Sequence, residues 1–231
     1  MTMATIDEPR RTLHKDILLY GLRKRMTDEQ EAMVESILNN RLTIVNAISG
    51  AGKTTIAVAM AKYLYETTGQ EALFVTSTVE EGALGHTPGS VTEKELKYFA
   101  PLFNALQEIG EQDPLTVIQF SDDLIGSNKQ WIQAKTHSYM RGTNVKGRTV
   151  ILEESQNLKR SELKKILTRI HDDCTVIMIG HSKQVDLPKG QVSGFEPYTE
   201  HLRQYPFVGV VDLSVDFRGE LARASDAFDW L

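Results

Sequence analysis

The sequence is poor in cysteine and contains no long apolar run. Its single cysteine, Cys174, excludes a disulfide within the chain, and neither a CxxC pattern nor a thiol-protease motif surrounds it. We interpret Cys174, in the apolar stretch "DDCTVIMIG", as a buried strand residue. No run of about 18 apolar residues is present, so the sequence predicts no membrane-spanning helix.

Positive charge is also scarce. A formal net charge of −5 argues against a protein that coats nucleic acid through bulk positive charge, although a local basic channel remains compatible with it. The first residues, "MTMATIDEPRRTLHKD", lack the apolar centre of a secretory signal, so we expect a cytoplasmic protein. One early basic cluster is either a solvated arm or a contact to nucleic acid or a partner. It comprises Arg10, Arg11, Lys15, Arg23, Lys24 and Arg25.

Predicted strands and helices alternate along the 231 residues. Continuous apolar runs predict strands at 41–47, 71–78, 115–120, 149–154, 174–180 and 205–214. Helical patterns cover 26–40, 53–68, 92–110 with a break or bend at Pro101, 159–173 and 218–231. The alternation predicts an α/β fold in a single domain, with a mostly parallel doubly wound sheet, after a basic N-terminal arm over residues 1–26.

The stretch "NAISGAGKTTIAVA" contains a glycine-rich turn from a predicted strand into a predicted helix. Such a turn directs backbone N–H groups and a helix N-terminus at an anion. Lys53 adds a charge for the β- and γ-phosphates, and the Thr54 hydroxyl is placed to bind Mg²⁺. This is a Walker A motif in which Ala47 replaces the first glycine. The predicted nucleotide-binding residues are Ser49, Gly50, Ala51, Gly52, Lys53, Thr54 and Thr55.

Two carboxylates end the predicted strand in "RTVILEESQN", as in a Walker B motif. Because successive strand residues point to opposite sides, Glu153 and Glu154 can divide the chemistry between them. We expect Glu153 to hold Mg²⁺ and Glu154 to orient or deprotonate the attacking water. Glu153 stands where aspartate is more common.

Three further side chains extend this motif set. Gln30 in "TDEQ" is predicted to contact the adenine edge, with an ordinary exposed glutamine as the alternative. Gln184 follows the strand "CTVIMIG" at the position of a γ-phosphate sensor. Arg218 follows the last predicted strand, and its planar guanidinium suits a transferring phosphoryl group.

Taken with "THSYMRG", "LTRI" and "GHSKQVDLPKGQVSG", these motifs make the chain similar to the PhoH family of ATPases over roughly residues 27–225. The resemblance implies a RecA-like P-loop NTPase domain over 27–231, ATP and Mg²⁺ as cofactors, ring-type assembly, a bacterial or bacteriophage source, and a link to RNA metabolism or phosphate starvation. It assigns catalytic or binding roles to Lys53, Thr54, Glu154, Gln184 and Arg218.

The chain departs from the family pattern at four positions. Ser77 and Thr78 stand where the family has an Arg-Pro pair, which weakens a charged contact to a nucleic-acid strand there. His181 stands where aspartate is usual, and Lys183 where threonine is common. His181 is either a surface or network histidine or a pH-sensitive contact on the γ-phosphate side.

A single RecA-like lobe leaves one side of the nucleotide open, so a neighbouring copy can supply the missing wall. We therefore expect a homo-oligomer, a hexameric ring, with Arg218 reaching the next subunit's nucleotide; action within its own chain is the alternative. Single-stranded RNA or DNA is the expected partner, and no membrane is. Candidate strand contacts are Lys94, Lys97, Tyr98, Tyr139 and Arg141.

Three functions fit these observations. The first is an ATPase coupled to single-stranded nucleic acid, of RNA helicase or translocase type. The second is an ATP-gated oligomeric regulatory protein without nucleic-acid remodelling. The third is a P-loop kinase of a small molecule, which the absence of an Arg-rich lid segment disfavours.

Overall fold

A computed structural model describes residues 11–77, 96–120, 129–140 and 142–226. The described residues form a seven-stranded sheet with the strand order β3-β4-β2-β5-β6-β1-β7. Every strand pair is parallel. The strands are β1 (Leu42–Ala47), β2 (Ala72–Thr76), β3 (Ile118–Gln119), β4 (Ile132–Thr136), β5 (Thr149–Glu153), β6 (Thr175–Gly180) and β7 (Val208–Leu213).

Helices cover both faces of the sheet, as the predicted doubly wound fold requires. The helices are α1 (Asp28–Asn39), α2 (Lys53–Thr68), α3 (Ala100–Glu108), α4 (Arg160–Leu167), α5 (Phe195–Leu202) and α6 (Glu220–Asp226). Neighbouring strand residues face opposite layers: Val45 belongs to the core with α1, α2 and α3, whereas Ile44 belongs to the core with α4 and α5. Burial on both faces explains why the central strands are continuously apolar.

Local signals set the ends of the first two helices. Thr27 caps α1 as predicted: its side chain accepts a hydrogen bond from the Gln30 N–H, and the Gln30 side chain bonds back to the Thr27 N–H. Gly69 ends α2 in the left-handed conformation, with φ of 75°, and its N–H donates to the Tyr65 carbonyl. A glycine adopts this conformation without the steric cost that a Cβ brings.

Two elements were not predicted, and one was predicted too long. The strand β4 and the helix α5 fall in segments without a clear apolar period. The predicted strand 115–120 keeps only Ile118–Gln119, because a 3₁₀ turn occupies Pro114–Thr116. The break expected near Pro101 is confirmed: a 3₁₀ turn, Lys97–Phe99, ends there and α3 begins at Ala100.

The described part of the N-terminal segment packs against the domain. Leu13, Leu19 and Leu22 are buried in the core beneath α1 and α2. Arg23 forms an ion pair with Glu31 of α1 at 2.8 Å. No break in packing therefore marks residue 26, although Lys24 and Arg25 remain exposed. Among the helices of the described residues, none combines the length and apolar character that crossing a bilayer requires.

Candidate active site

The glycine-rich loop joins β1 to α2 at the carboxyl edge of the sheet, where ligands of open α/β sheets bind. Gly50 and Gly52 have φ of 77° and 76°, so the loop bends through two left-handed residues. Ala47, the departure from the motif, is the buried last residue of β1 and causes no change in this turn. Lys53 begins α2, so the helix N-terminus and the loop amides form one anion-binding concavity.

Glu153 ends β5 directly opposite this loop. Its Oε1 accepts a hydrogen bond from the Thr54 hydroxyl at 2.8 Å, which brings together the two residues predicted to bind the metal. Its Oε2 is buried and has no hydrogen-bond partner among the described residues. Burial raises the pKa of Glu153 to about 7, and the charge of Glu154 raises it further, against the lowering effects of Lys53 and the Thr54 hydroxyl.

This carboxylate fits a divalent cation. A buried acceptor without a partner is uncommon in proteins and costs free energy. A cation at this oxygen would supply the missing partner and favour the ionised carboxylate. Thr54 and Glu153 therefore have the oxygen ligands and the need that Mg²⁺ would satisfy.

Glu154 leaves the strand and diverges from Glu153, although not through strand alternation as predicted. Its backbone is left-handed, with φ of 53° and ψ of 39°, which is uncommon for a residue with a Cβ. Its carboxylate accepts a hydrogen bond from Gln156 Nε2 at 2.5 Å. Gln156 Oε1 accepts in turn from the His181 N–H at 3.1 Å.

Gln156 is the functional residue that the sequence analysis missed. It is buried, and its two amide ends connect Glu154 on one strand end with His181 on the neighbouring strand end. The only signal in the sequence is an amide two residues after the second carboxylate, in "EESQN". His181 is a network residue in this structure: its Nδ1 is buried without a hydrogen-bond partner among the described residues.

Gln184 and Arg218 both reach the glycine-rich loop. The Ser49 hydroxyl donates to Gln184 Oε1 at 2.6 Å. The Phe217 N–H donates to the Gly50 carbonyl at 3.1 Å, and a Cβ on Gly50 would lie 2.6 Å from the Arg218 Nε. Asp216 holds the Arg218 guanidinium at 2.9 Å, and this hydrogen bonding lowers the Asp216 pKa. Arg218 thus lies against the loop of its own chain, which favours the alternative over a reach to a neighbour's nucleotide.

Gln30 lies against the loop rather than facing a ligand. Its Nε2 donates to the Ala51 carbonyl at 2.9 Å, and its Oε1 accepts from the Thr27 N–H. Both ends of the amide are therefore engaged within the protein, and a contact to adenine would require one of these bonds to break. The geometry gives Gln30 a supporting role for the loop.

The other predicted residues lie away from this centre. Thr55 donates to Glu108 of α3. Lys97 stacks over the Tyr98 ring, and Tyr139 is exposed on a 3₁₀ turn, His137–Met140. Ser77 is buried and donates to the Asn157 carbonyl, and Lys183 is exposed. Thr78, Lys94 and Arg141 lie outside the described residues.

Comparison with known proteins gives a family. The model of the family described as "PhoH: PhoH-like protein" matches residues 23–224. The chain is 29% identical over 181 residues to "Protein PhoH" of Escherichia coli (strain K12), covering 77% of this chain and 49% of that protein. It is 30% identical over 215 residues to "PhoH-like protein" of Mycobacterium leprae (strain TN), covering 91% and 59%. The chain thus spans about half the length of the relatives it matches.

Two solved structures share the fold. The UvsW helicase from bacteriophage T4 superposes with a TM-score of 0.52 at 14% identity, covering 80% of this chain and 59% of that one. The large terminase of a thermophilic bacteriophage, solved in complex with ADP, gives a TM-score of 0.53 at 10% identity, covering 89% and 50%. The domain therefore has the RecA-like fold of helicase and terminase P-loop domains.

Proposed function

The chain belongs to the PhoH family, and from that membership together with its site we propose that it binds ATP with Mg²⁺ and hydrolyses it. The observation that carries the proposal is the contact between Thr54 and Glu153, with one buried carboxylate oxygen left for a cation and a second carboxylate turned away from it. Fold likeness alone would not support a reaction, because one fold hosts many activities.

Each side chain of the site has a role in this mechanism. The loop amides and Lys53 bind the phosphates, and Thr54 and Glu153 hold the metal. Bound Mg²⁺ neutralises phosphate charge and orients the terminal phosphoryl group. Glu154, kept in place by Gln156, orients the attacking water and accepts its proton.

Gln184 and Arg218 act on the side of the loop that faces the terminal phosphate. Gln184 already contacts Ser49, so its amide is positioned to respond to a γ-phosphate. Arg218 is held by Asp216 beside Gly50, from where its guanidinium can stabilise charge on the transferring group within the same chain.

The proposal is tested with ATP labelled on its γ-phosphate. Release of free inorganic phosphate indicates hydrolysis, whereas a labelled product other than phosphate indicates the kinase alternative. The Lys53→Ala variant is expected to lose both binding and turnover. Calorimetry that shows no affinity for ATP in the presence of Mg²⁺, on folded protein, would refute the proposal.

We further propose that hydrolysis is coupled to single-stranded nucleic acid in a homo-oligomeric, hexameric assembly. Support comes from family membership and from the exposed Tyr139 near the catalytic edge. Stimulation of phosphate release by single-stranded RNA separates this function from the ATP-gated regulatory alternative, and native mass spectrometry measures the assembly. Because Arg218 lies on its own loop, mixed Lys53→Ala and Arg218→Ala subunits are expected to stay inactive; recovery would place Arg218 in a neighbour's site.

A further inference from the structure

Basic side chains concentrate beside the catalytic edge of a chain whose net charge is −5. Arg160 and Lys164 are exposed on α4, which follows the catalytic turn, and Lys159 precedes them with partial burial. Lys183 and Lys189 are exposed on the loop that follows β6. In an acidic chain such a concentration creates a local positive potential, which attracts an anionic partner.

A groove runs between α4 and this loop. One wall consists of Lys159, Arg160, Ser161 and Lys164, and the other of Gly190, Gln191 and Val192. None of these lining residues is a carboxylate. Val192 is 77% exposed and Gln191 and Ser161 are also exposed, so the groove offers an apolar contact and neutral hydrogen-bonding groups beside its charges. Phosphates, sugars and bases of a nucleic-acid strand use these three kinds of contact together.

The nearest carboxylates on the two walls are already engaged. Glu162 of α4 accepts a hydrogen bond from the Lys159 N–H at 2.9 Å and so caps the helix. Asp186 of the loop is bound to Asn157, whose Oδ1 accepts from the Asp186 N–H at 2.8 Å and whose Nδ2 donates to the Asp186 carboxylate at 3.4 Å. Each of them reduces the positive potential without projecting from the groove lining.

Both walls are attached to the catalytic turn. The Gly194 N–H donates to the Leu158 carbonyl at 2.8 Å, and a Cβ on Gly194 would lie 2.6 Å from the Arg160 Cα. The close approach holds the loop against the start of α4 and leaves no room for a side chain. Leu158 follows the 3₁₀ turn Ser155–Asn157 that contains Gln156, the partner of Glu154. A ligand in the groove therefore lies a few residues from the catalytic carboxylate.

We propose that this groove is the site at which the protein binds single-stranded nucleic acid, mainly through its phosphates. The effect of that binding on hydrolysis rests on the proposed function; the binding itself does not. Tyr139 favours a nucleic acid over an acidic peptide. It is 52% exposed on the turn His137–Met140, which packs against Glu162 and Ile166 on the other side of α4, so a base leaving the groove can stack there.

The test compares two double variants that remove equal charge. Arg160→Gln with Lys164→Gln alters the groove, and Lys24→Gln with Arg25→Gln alters the exposed N-terminal cluster. Fluorescence anisotropy with a labelled oligouridine, and with an oligothymidine, measures affinity over a series of salt concentrations. The groove variant is expected to bind about tenfold more weakly, and its log–log salt slope should be smaller by about two, one for each lost phosphate contact. The N-terminal variant should stay within about twofold of the unaltered protein.

Phosphate release without nucleic acid is measured on the same samples, because none of the four altered residues belongs to the ATP site. Unchanged release in both variants shows that the fold and the ATP site are intact. If the unaltered protein binds neither oligonucleotide, or if only the N-terminal variant loses binding, the proposal is wrong. Equal displacement of the strand by oligoglutamate would also overturn it. Absence of ATP hydrolysis, with groove-dependent strand binding kept, would refute the proposed function alone.

Discussion

The two halves of the candidate site are built in different ways. The half that holds phosphate is a continuous loop, 47–55, whose shape follows from two left-handed glycines and the start of a helix. The half that holds the carboxylates is assembled across the sheet: Gln156 follows β5, and its partner His181 follows β6 twenty-five residues later. A continuous loop depends on local backbone requirements, whereas the second half depends on which strands become neighbours.

The largest expected effect tests the chemical role of the carboxylate half. Replacing Glu154 by glutamine keeps the shape of the side chain but removes the base, so we expect phosphate release to fall by about 10²- to 10⁴-fold. ATP affinity, measured by calorimetry, should change little, because binding resides in the other half. The control is Glu35→Gln, on an exposed position of α1. Retention of more than about a tenth of the activity would remove Glu154 from the mechanism.

The second prediction concerns the residue that connects the two strand ends. In Gln156→Leu the Glu154 carboxylate loses its donor, and a hydrogen bond to a charged group contributes about 1.5–3 kcal/mol. We expect kcat to fall by about 10- to 100-fold with KM unchanged, because Gln156 touches no phosphate-binding residue in the described contacts. A rise in KM with normal kcat would mean that Gln156 serves binding instead. Thermal unfolding of the variant checks that the buried site still packs.

These two predictions show where sequence reasoning succeeded. Walker A, the paired carboxylates and the order of the central strands are visible because each needs particular residues in sequence. Gln184 and Arg218 were placed correctly next to the loop, since residues after parallel strands meet at one edge. The left-handed turn at Glu154 and the bond to Gln156 were not visible, because they depend on the neighbouring strand.

The missed elements have a similar explanation. β4, with the sequence "IQAKT", has no continuous apolar run, and Gln133 is buried only because Arg148 donates to its Oε1 at 2.8 Å. α5 contains Pro197, which suggested a loop, but the proline falls in the first turn, where no intrahelical N–H is needed. Tertiary contacts, rather than local pattern, determine both elements.

The third prediction tests whether the loop half needs its special backbone. A Cβ at Gly50 would be strained by the positive φ and would lie 2.6 Å from Arg218 atoms, so Gly50→Ala should weaken ATP binding about tenfold. Gly69→Ala is the matched control: its φ is also positive at 75°, but a Cβ there meets nothing within 4 Å. The control should lower stability by about 1 kcal/mol and leave ATP binding unchanged. Equal ATP affinities in the two variants would contradict a specific role for the Gly50 turn.

The smallest expected effect lies where the halves meet, at Glu153. The pKa of this carboxyl is about 7 in the nucleotide-free protein, above the ordinary value of 4.5, chiefly because it is buried. Below the ordinary value the group is protonated in both folded and unfolded states, and its contribution to stability is fully present. As the pH rises through the folded-state pKa, that contribution is lost, because only the unfolded chain has released its proton easily.

Glu153→Gln cannot titrate, so it should lack this loss. Between about pH 5 and pH 7.5 we expect the unfolding temperature of the unaltered protein to fall by a few degrees relative to the variant. Glu154→Gln, which removes the neighbouring charge that raises the Glu153 pKa, should shift the fall to lower pH. Adding Mg²⁺ with ATP should oppose it, because a bound cation favours the ionised carboxylate. A pH profile identical in the unaltered protein and Glu153→Gln would show that Glu153 is already ionised without metal, and the case for its unpartnered oxygen as the cation ligand would then fail.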